Sequence, residues 1–212
     1  MSLPYQDVLD EAGLTGRVLH RADIYGSGPP VDLVSEEILS FAELHCGSSV
    51  LDVGAGIGPY VARLAASGRR ALGIELDPTI VSAAENLGRP VRTGSAMDLP
   101  FDDGSFETVL LIESLEHFDD PERAVAEARR VCSRNLIVTV PDIGAVPLLS
   151  QRGVVPWHLL EGTHVNFFTT EILRRLLLRH FDACETTHLG HFFTVDEQPV
   201  YMHAAAVAYL TS

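Results

Sequence analysis

Short apolar runs alternate with amphipathic stretches through the middle of this 212-residue chain. The runs "SVLDVGAG", "RRALGIELD", "VRTGSA", "ETVLLIES" and "NLIVTVPD" are typical of buried strands. The stretches "PYVARLAAS", "PTIVSAAENLG" and "ERAVAEARRVC" follow three of these runs and carry apolar residues at helical spacing. Uninterrupted apolar strands that alternate with helices predict a parallel sheet covered by helices on both faces.

The flanking segments complete the predicted α/β fold. Residues 1–45 indicate an N-terminal helical segment that is interrupted by "YGSGPP". Residues 143–168 break the rhythm and predict a loop or small cap, and "TEILRRLLLRHF" then predicts a helix with a threonine cap. "ACETTHLG" and "YMHAAAVAYL" predict two closing strands. We therefore expect one domain over residues 1–212.

The net charge and the residue composition exclude several classes of function. The formal net charge of −14 argues against a nucleic-acid partner, because affinity for nucleic acid rests on neutralising phosphates. All fifteen basic residues are arginines, which excludes a Walker A lysine and a Schiff-base lysine. Cys46, Cys132 and Cys184 form no CxxC pair and predict reduced thiols. With apolar runs too short to cross a bilayer and no secretory signal pattern, we expect a cytoplasmic protein.

A glycine loop, "VLDVGAGIG", lies where the first strand meets a helix. Such a loop lets a ligand approach backbone N–H groups at a helix N-terminus. The glycine spacing departs from the GxGxxG of dinucleotide-binding enzymes, which disfavours an NAD(P)-dependent oxidoreductase. Asp52 would repel a pyrophosphate but could accept hydrogen bonds from a cationic ligand. Glu75 ends the second strand, the usual place for an acid that binds ribose hydroxyls.

"VLDVGAGIGPY", "GIELDP" and "GSAMDLPFDDGSFETVLLIESLEH", in this order, resemble the class I S-adenosylmethionine-dependent methyltransferases. The resemblance covers roughly residues 45–182 and is to the small-molecule enzymes that include the ubiquinone-pathway O-methyltransferases. It implies a Rossmann-like, mostly parallel sheet of seven strands in the order 3-2-1-4-5-7-6. It also implies S-adenosylmethionine as cofactor and a small-molecule methyl acceptor, more often at oxygen than at nitrogen or carbon.

The resemblance assigns cofactor contacts to positions that match the family's motifs. These positions are Asp52, Gly54, Gly56, Glu75, Leu76, Ala96, Met97, Asp98 and Ile112. Asp52 and the glycine backbone would hold the methionine moiety, and Glu75 would bind the ribose hydroxyls. Leu76 would pack on the adenine, whose amino group would donate to Asp98 beside Ala96 and Met97. The carbonyl near Ile112 or Glu113 would face the cofactor's amino group.

The stretch "LLIESLEHFDD" places Glu113, Glu116 and His117 after the fourth strand. Open α/β sheets bind ligands at this carboxyl edge. The neighbouring fifth strand should deliver "PWHLLEGTHVNFFT" to the same edge, with the further candidates His158, Glu161 and His164. Mixed carboxylate and imidazole ligands suit Mg²⁺, Mn²⁺, Fe²⁺ or Zn²⁺.

This motif is also similar to that of the small-RNA 2′-O-methyltransferases, in which two acids and two histidines bind a divalent metal. That resemblance implies a metal set of Glu113, Glu116, His117 and His164, with the ion lowering the pKa of the acceptor hydroxyl. The alternatives remain a metal-free site in which His117 or His164 acts as general base with Glu116 beside it, or structural roles for all three.

The acceptor pocket is expected between the N-terminal helices and residues 143–168. Its candidate residues are Tyr25, Trp157, Phe167 and Phe168, with Arg21 or Arg152 for an acidic acceptor. Two rival functions stay open. An RNA 2′-O-methyltransferase is favoured by the metal motif but opposed by the acidity and the short chain, and a non-catalytic nucleotide-binding protein would keep only the glycine loop. Nothing in the sequence indicates the oligomeric state.

Overall fold

The computed structural model describes residues 32–153, 159 and 161–211. The expectations for residues 1–31, which include Arg21 and Tyr25, and those for Trp157 and His158 lie outside these ranges. Within the described residues, no helix is long and apolar enough to cross a membrane.

The described residues form a sheet of seven strands with helices around it. The strands are β1 (Ser49–Val53), β2 (Arg70–Glu75), β3 (Val91–Thr93), β4 (Phe106–Ile112), β5 (Cys132–Pro141), β6 (Ala183–Val195) and β7 (Gln198–Tyr209). The helices are α1 (Glu36–His45), α2 (Pro59–Ala66), α3 (Pro78–Asn86), α4 (Pro121–Val131), α5 (Val146–Gln151) and α6 (Thr170–Leu177). A 3₁₀ turn, Leu115–His117, follows β4, and α5 lies inside the segment that was predicted to form a loop or cap.

The strand order is β3-β2-β1-β4-β5-β7-β6, which confirms the predicted order. β1 to β5 pair in parallel, and β7 pairs antiparallel with both β5 and β6. Parallel pairing aligns the carboxyl ends of β1, β2, β4 and β5 along one edge of the sheet. The segments that follow these strands therefore meet at that edge.

Both faces of the sheet are covered, as the uninterrupted apolar strands predicted. One core cluster contains Val125 from α4 and Leu173 from α6, packed against alternate residues of the strands. The opposite cluster contains Ile38 from α1 and Leu64 from α2. Cys132 is buried and Cys46 and Cys184 are half-buried, and none of the three forms a disulfide with another described residue.

The helices begin where the sequence supplies caps. Side chains of Asp77, Asp120 and Thr169 accept hydrogen bonds from the first turns of α3, α4 and α6. An N-cap of this type satisfies a backbone N–H that would otherwise lack a partner. The last helix has a threonine cap as predicted, but the cap is Thr169, one residue before the Thr170 that opens the predicted stretch.

The β6–β7 hairpin extends past the end of β5. β7 begins at Gln198, but its pairing with β5 reaches only from Tyr209 to His203, which lies opposite Pro141. Asp196 and Glu197, with φ of 50° and 66°, form the turn. Two consecutive positive φ values are typical of a tight two-residue hairpin turn. His203, at the end of this pairing with β5, lies at the carboxyl edge of the sheet, where the overhang begins.

Candidate active site

A cleft of about 500 Å³ opens at the carboxyl edge of the sheet. Residues from the β1, β2, β3 and β4 ends line it: Gly54, Ile74, Glu75, Leu76, Gly94, Ser95, Ala96, Met97, Glu113, Ser114, His117, Phe118, Asp119 and Asp120. This is the edge at which the sequence places the ligand. Its size suits a nucleoside-containing cofactor, because ligand pockets typically measure about 300–1,000 Å³.

The glycine loop forms the cleft floor. Its N–H groups at Gly54 and Ala55 donate to the Ile74 carbonyl at 2.8 and 3.0 Å, which ties the loop to β2. Gly54 has a φ of +77°, and a Cβ placed there would lie 2.7 Å from the Cβ of Ser114. Glycine is therefore required at position 54 both by the left-handed backbone and by the close approach of the turn after β4.

Glu75 stands at the end of β2 and is held rigidly. Its Oε2 accepts from the Gly56 N–H at 3.1 Å, and its Oε1 accepts from the N–H groups of Leu76 and Asp77 at 2.8 and 3.1 Å. These bonds connect the glycine loop with the start of α3 through one carboxylate. The side chain is thus fixed beside the cleft without being withdrawn from it.

Asp52 is buried within β1 and does not line the cleft itself. Burial raises the pKa of this carboxyl to about 7, and the charge of Glu75 adds to the increase. A carboxyl of this kind ionises readily when a cation binds nearby, because the cation offsets the unfavourable burial of the charge.

Only some of the residues predicted to surround the adenine line the cleft. Leu76, Ala96 and Met97 line the cleft. Asp98 is exposed and does not line it, although its N–H donates to the Ser95 carbonyl at 3.2 Å. Ile112 is buried at the end of β4, behind the lining. The roles implied for Asp98 and Ile112 stay predictions.

Glu113 lies at the end of β4 with a φ of +48°, in the left-handed region that favours glycine. Its N–H donates to the Thr139 carbonyl at 2.9 Å, and its Oε2 lies 3.1 Å from Nδ1 of His203. Burial alone would lower the pKa of His203, but contact with the Glu113 carboxylate and the charge of Glu37 raise it overall. The sequence did not indicate His203, because an isolated histidine in an apolar strand carries no signal of its partner.

Glu116, His117 and His164 come together as the sequence suggested. One potential ligand atom from each lies within 4.8 Å of the others. The rings of His117 and His164 meet edge to face with centroids 4.7 Å apart, and Nε2 of His117 lies 3.9 Å from Oε1 of Glu116. Glu113 is not part of this group, since its carboxylate pairs with His203.

The loop after β5 is joined to the turn after β4. The Glu116 carbonyl accepts from the N–H groups of Val165 and Asn166 at 2.9 and 3.0 Å. The Asn166 amide donates to the Phe118 carbonyl at 2.6 Å. These bonds hold His164 beside the turn. Sequence analysis did not identify Asn166. Its side-chain amide joins two irregular segments through backbone carbonyls, which explains why asparagine stands in "HVNFF".

His117 has a fixed orientation. Its Nδ1 lies 3.1 Å from both the carbonyl and the hydroxyl oxygen of Thr163. The tautomer with the hydrogen on Nδ1 can donate to that carbonyl and leaves Nε2 to accept a proton or bind a metal. Glu161 accepts from the N–H and the hydroxyl of Thr163, both at 3.0 Å. Glu161 thus supports the loop that supports His117.

Glu116 is the most enclosed acid of the cluster, with 2% of its surface exposed. Its Oε2 has no hydrogen-bond partner among the described residues. Burial raises the pKa of Glu116 well above its usual value, and the charge of Glu113 adds to the increase. A buried carboxylate oxygen without a donor is unfavourable, and a cation would satisfy it.

The described candidates for the acceptor pocket divide into three environments. Phe168 is buried in the apolar core, and Phe167 is exposed. Arg152 forms an ion pair with Asp196 at the hairpin turn, which links α5 to the β6–β7 overhang. None of the three lines the described cleft, and their acceptor contacts stay predictions.

Comparison with known proteins identifies the class. A SAM-dependent methyltransferase from Thermotoga maritima, described as a possible histamine N-methyltransferase, matches 82% of this chain and 87% of its own. The TM-score is 0.66 at 21% sequence identity, which defines a class I methyltransferase fold. Residues 51–138 match the family model described as a methyltransferase domain. Residues 51–138 are therefore similar to a methyltransferase domain, and the fold around them is shared with S-adenosylmethionine-dependent methyltransferases.

Curated relatives include enzymes that methylate nitrogen and enzymes that methylate oxygen. Norajmaline N-methyltransferase from Rauvolfia serpentina is 32% identical over 126 residues, which cover 53% of this chain and 43% of the relative. O-methyltransferase resE from Aspergillus sclerotiorum is 34% identical over 106 residues, which cover 46% of this chain and 40% of the relative. The matched part thus spans less than half the length of these relatives.

Proposed function

We propose that the protein transfers the methyl group of S-adenosylmethionine to a hydroxyl oxygen of a small molecule. The observation that carries the proposal is the position of Glu75. Its carboxylate is fixed by N–H groups of the glycine loop and of the start of α3, at the edge of a sheet with the class I order. A carboxylate in this position is suited to the ribose hydroxyls of the cofactor.

The residues around the cleft fit S-adenosylmethionine. When bound, the cofactor supplies an activated methyl group on its sulfonium, so the protein has mainly to align the acceptor and exclude water. Glu75 would bind the ribose hydroxyls, and Leu76, Ala96 and Met97 offer an apolar surface to the adenine. Asp52 lies behind the cleft lining, and its pKa of about 7 lets it ionise when the positively charged amino group binds nearby.

A hydroxyl acceptor must lose its proton as the methyl group is transferred, and His117 is placed to take it. His117 lines the cleft, and its Nδ1 is held by the Thr163 carbonyl. Nε2 is therefore available as a base, and histidine is the side chain that most often serves as a general base in enzymes. The similarity to an O-methyltransferase supports oxygen as the acceptor atom, whereas the N-methyltransferase relative is the reason to test amines as well.

A second form of the proposal places a divalent metal ion on Glu116, His117 and His164. The fit rests on the donor atoms within 4.8 Å of one another and on the unpaired Oε2 of Glu116. One carboxylate and two imidazoles suit Mn²⁺, Fe²⁺ or Zn²⁺ better than Mg²⁺, which prefers oxygen ligands. An ion at this position would lower the pKa of an acceptor hydroxyl. Glu113 is left out of the set because it pairs with His203.

Calorimetric titration with S-adenosylhomocysteine tests the cofactor assignment directly. We expect saturable binding with one site per chain, and absence of binding by a folded sample would contradict the proposal. Transfer of a radiolabelled methyl group to a panel of phenols, alcohols and amines then tests the acceptor atom. Repeating the assay after chelation and after addition of Mn²⁺ or Zn²⁺ separates the metal-free form from the metal-assisted form.

Two rival functions make different predictions in the same assays. A non-catalytic nucleotide-binding protein would bind S-adenosylhomocysteine but tolerate alanine at Glu116 and His117 without loss of any activity. An RNA 2′-O-methyltransferase would shift small RNA in a gel, with strong salt dependence. The net charge of −14 is the reason to expect no such shift.

A further inference from the structure

Ser114 has a hydroxyl that the fold leaves without a partner. The residue follows β4, lines the cleft and is 3% exposed. Its Oγ has no hydrogen-bond partner in the described part of the chain. Ser114 also precedes the 3₁₀ turn Leu115–His117, where a serine commonly caps the following N–H groups, yet its side chain makes no such bond. A buried hydroxyl in this state is unfavourable unless a water, an ion or a ligand supplies its partner.

The hydroxyl lies beside the part of the cleft assigned to the methionine moiety. A Cβ built on Gly54 would lie 2.7 Å from the Ser114 Cβ and 3.3 Å from its Oγ. The side chain therefore covers the glycine loop immediately after Asp52 and Val53 of β1. A group bound above Gly54 lies next to this hydroxyl.

The methionine moiety carries both a positive amino group and a negative carboxylate. Among its described residues, the cleft offers charged partners to the amino group but none to the carboxylate. Acidic side chains at Glu75, Glu113, Asp119 and Asp120 line it. No arginine of the described residues lines it, and the whole chain lacks lysine. Within the described ranges, the donors that the cleft offers to the carboxylate of the cofactor are therefore neutral groups.

Most backbone donors of the glycine loop are already used. The N–H groups of Gly54 and Ala55 donate to Ile74, and that of Gly58 donates to Ala55. The N–H of Gly56 donates to Glu75. The Ser114 hydroxyl is a neutral donor that lies beside the loop and is not engaged elsewhere among the described residues. Hydrogen bonds to a charged group are about twice as strong as those between neutral groups.

We propose that the Ser114 hydroxyl donates a hydrogen bond to the carboxylate of the methionine moiety. The inference rests on the proposed function, because it concerns a contact to that cofactor. It makes Ser114 a residue that discriminates the complete aminoacyl cofactor from nucleosides that lack the carboxylate. The unpaired hydroxyl of the ligand-free protein is then explained by the ligand.

The test compares Ser114→Ala with Ser133→Ala, an exposed control on β5 whose Oγ donates to the Phe106 carbonyl at 3.1 Å. Calorimetry measures the Kd of S-adenosylhomocysteine, of its decarboxylated analogue S-adenosyl-3-thiopropylamine, and of 5′-methylthioadenosine. We expect Ser114→Ala to weaken S-adenosylhomocysteine about tenfold or more, since a hydrogen bond to a charged group is lost. Binding of the two ligands without a carboxylate should change less than about twofold.

Thermal unfolding of the ligand-free variants provides an independent readout. Removal of an unpaired buried hydroxyl should leave the Tm of Ser114→Ala unchanged or raise it. A clear fall in Tm would show that the hydroxyl has a structural partner and would overturn the proposal. An unchanged affinity for S-adenosylhomocysteine, or an equal loss for all three ligands, would overturn it as well.

The outcome is separable from that of the proposed function. A wild-type protein that fails to bind S-adenosylhomocysteine removes both proposals. A wild-type protein that binds it, with a Ser114→Ala variant of the same affinity, removes only the assignment of Ser114. An equal loss for S-adenosylhomocysteine and the decarboxylated analogue would place the hydroxyl on the amino group and reject the carboxylate contact.

Discussion

The imidazole rings of His117 and His164 meet edge to face, with centroids 4.7 Å apart, although one follows β4 and the other lies in the segment after β5. Glu116 places a buried carboxylate beside them. Neighbouring parallel strands bring both segments to one edge, and the bonds from Val165 and Asn166 to the Glu116 carbonyl hold them together. The pair is therefore a property of the topology and not of local sequence.

Replacement of His164 by alanine tests whether this arrangement binds a metal. We expect wild-type protein to bind Mn²⁺ or Zn²⁺, and His164→Ala to bind at least about tenfold more weakly, because one of three donors is removed. Calorimetry measures both metals, and electron paramagnetic resonance measures free Mn²⁺. His191→Ala is the matched control, since His191 is exposed on β6 and outside the cluster.

Equal metal affinity in the wild type, His164→Ala and His191→Ala would place any binding elsewhere and contradict the metal-assisted form. Loss of methyl transfer in His117→Ala without any metal binding by the wild type would instead support the general-base form. The two forms of the proposal are thus separated by binding and activity measured on the same variants.

Much of the fold could be predicted from sequence because each strand and helix carries a strong local pattern. "VLLI" is apolar without interruption, and "SVLDV" is apolar apart from Ser49 and Asp52, as expected of strands buried on both faces. The strand order came from the family resemblance and not from periodicity. The length of the hairpin was not predicted, because the turn at Asp196 and Glu197 adopts positive φ values without a glycine or asparagine to signal it.

Some contacts of the candidate site could be predicted from the sequence and others could not, because they depend on different parts of the topology. Glu116, His117 and His164 could be expected together, since consecutive parallel strands deliver them to one edge. The contact between Glu113 and His203 depends on the antiparallel register of β7 against β5, which no local pattern specifies. Ser114 was not singled out within "IESLEH", because only the three-dimensional structure shows that its hydroxyl is buried without a hydrogen-bond partner among the described residues.

Glu75 and Asp102 should differ in their importance for cofactor binding. Glu75→Gln should weaken S-adenosylhomocysteine by about tenfold or more, because a neutral amide bonds ribose hydroxyls less strongly than a carboxylate. Asp102→Asn should change the affinity by less than about threefold, since Asp102 is exposed and outside the cleft lining. Calorimetry on both variants measures the difference, and equal losses would contradict the assignment of the ribose contact to Glu75.

Asp52 should make cofactor affinity depend on pH. Burial and the charge of Glu75 raise its pKa to about 7 in the ligand-free protein, so the carboxyl is largely protonated at about pH 6 and ionised at about pH 8. The positive amino group of the cofactor favours the ionised form and lowers this pKa on binding. S-adenosylhomocysteine should therefore bind more tightly as pH rises from about 6 to about 8, by at most tenfold per pH unit.

Titrations in buffers of different ionisation enthalpy measure the proton released on binding. Release should be largest below about pH 7 and should disappear in Asp52→Asn, which has no proton to lose. Affinity that is flat with pH in the wild type, or a pH dependence that persists in Asp52→Asn, would assign the effect to another group.

Asn135 should contribute to stability through a buried polar network. Its Oδ1 accepts from the Thr108 hydroxyl at 2.6 Å, and its Nδ2 donates to the His45 carbonyl at 3.0 Å. The Thr108 hydroxyl in turn accepts from the Gly47 N–H at 2.9 Å. The network joins the end of α1 to β4 and β5, and Thr108 and Asn135 are both fully buried.

Asn135→Ala should lower the free energy of unfolding by about 2–4 kcal/mol, because the Thr108 hydroxyl loses its acceptor and the His45 carbonyl loses the Asn135 amide donor. Urea titration measures the loss, and Ser133→Ala on the same strand should change stability by less than about 1 kcal/mol. The affinity for S-adenosylhomocysteine should be preserved at low temperature, since the network lies at the opposite end of the strands from the cleft. A loss below about 0.5 kcal/mol would mean that water satisfies the exposed partners and that the network does not hold α1 to the sheet.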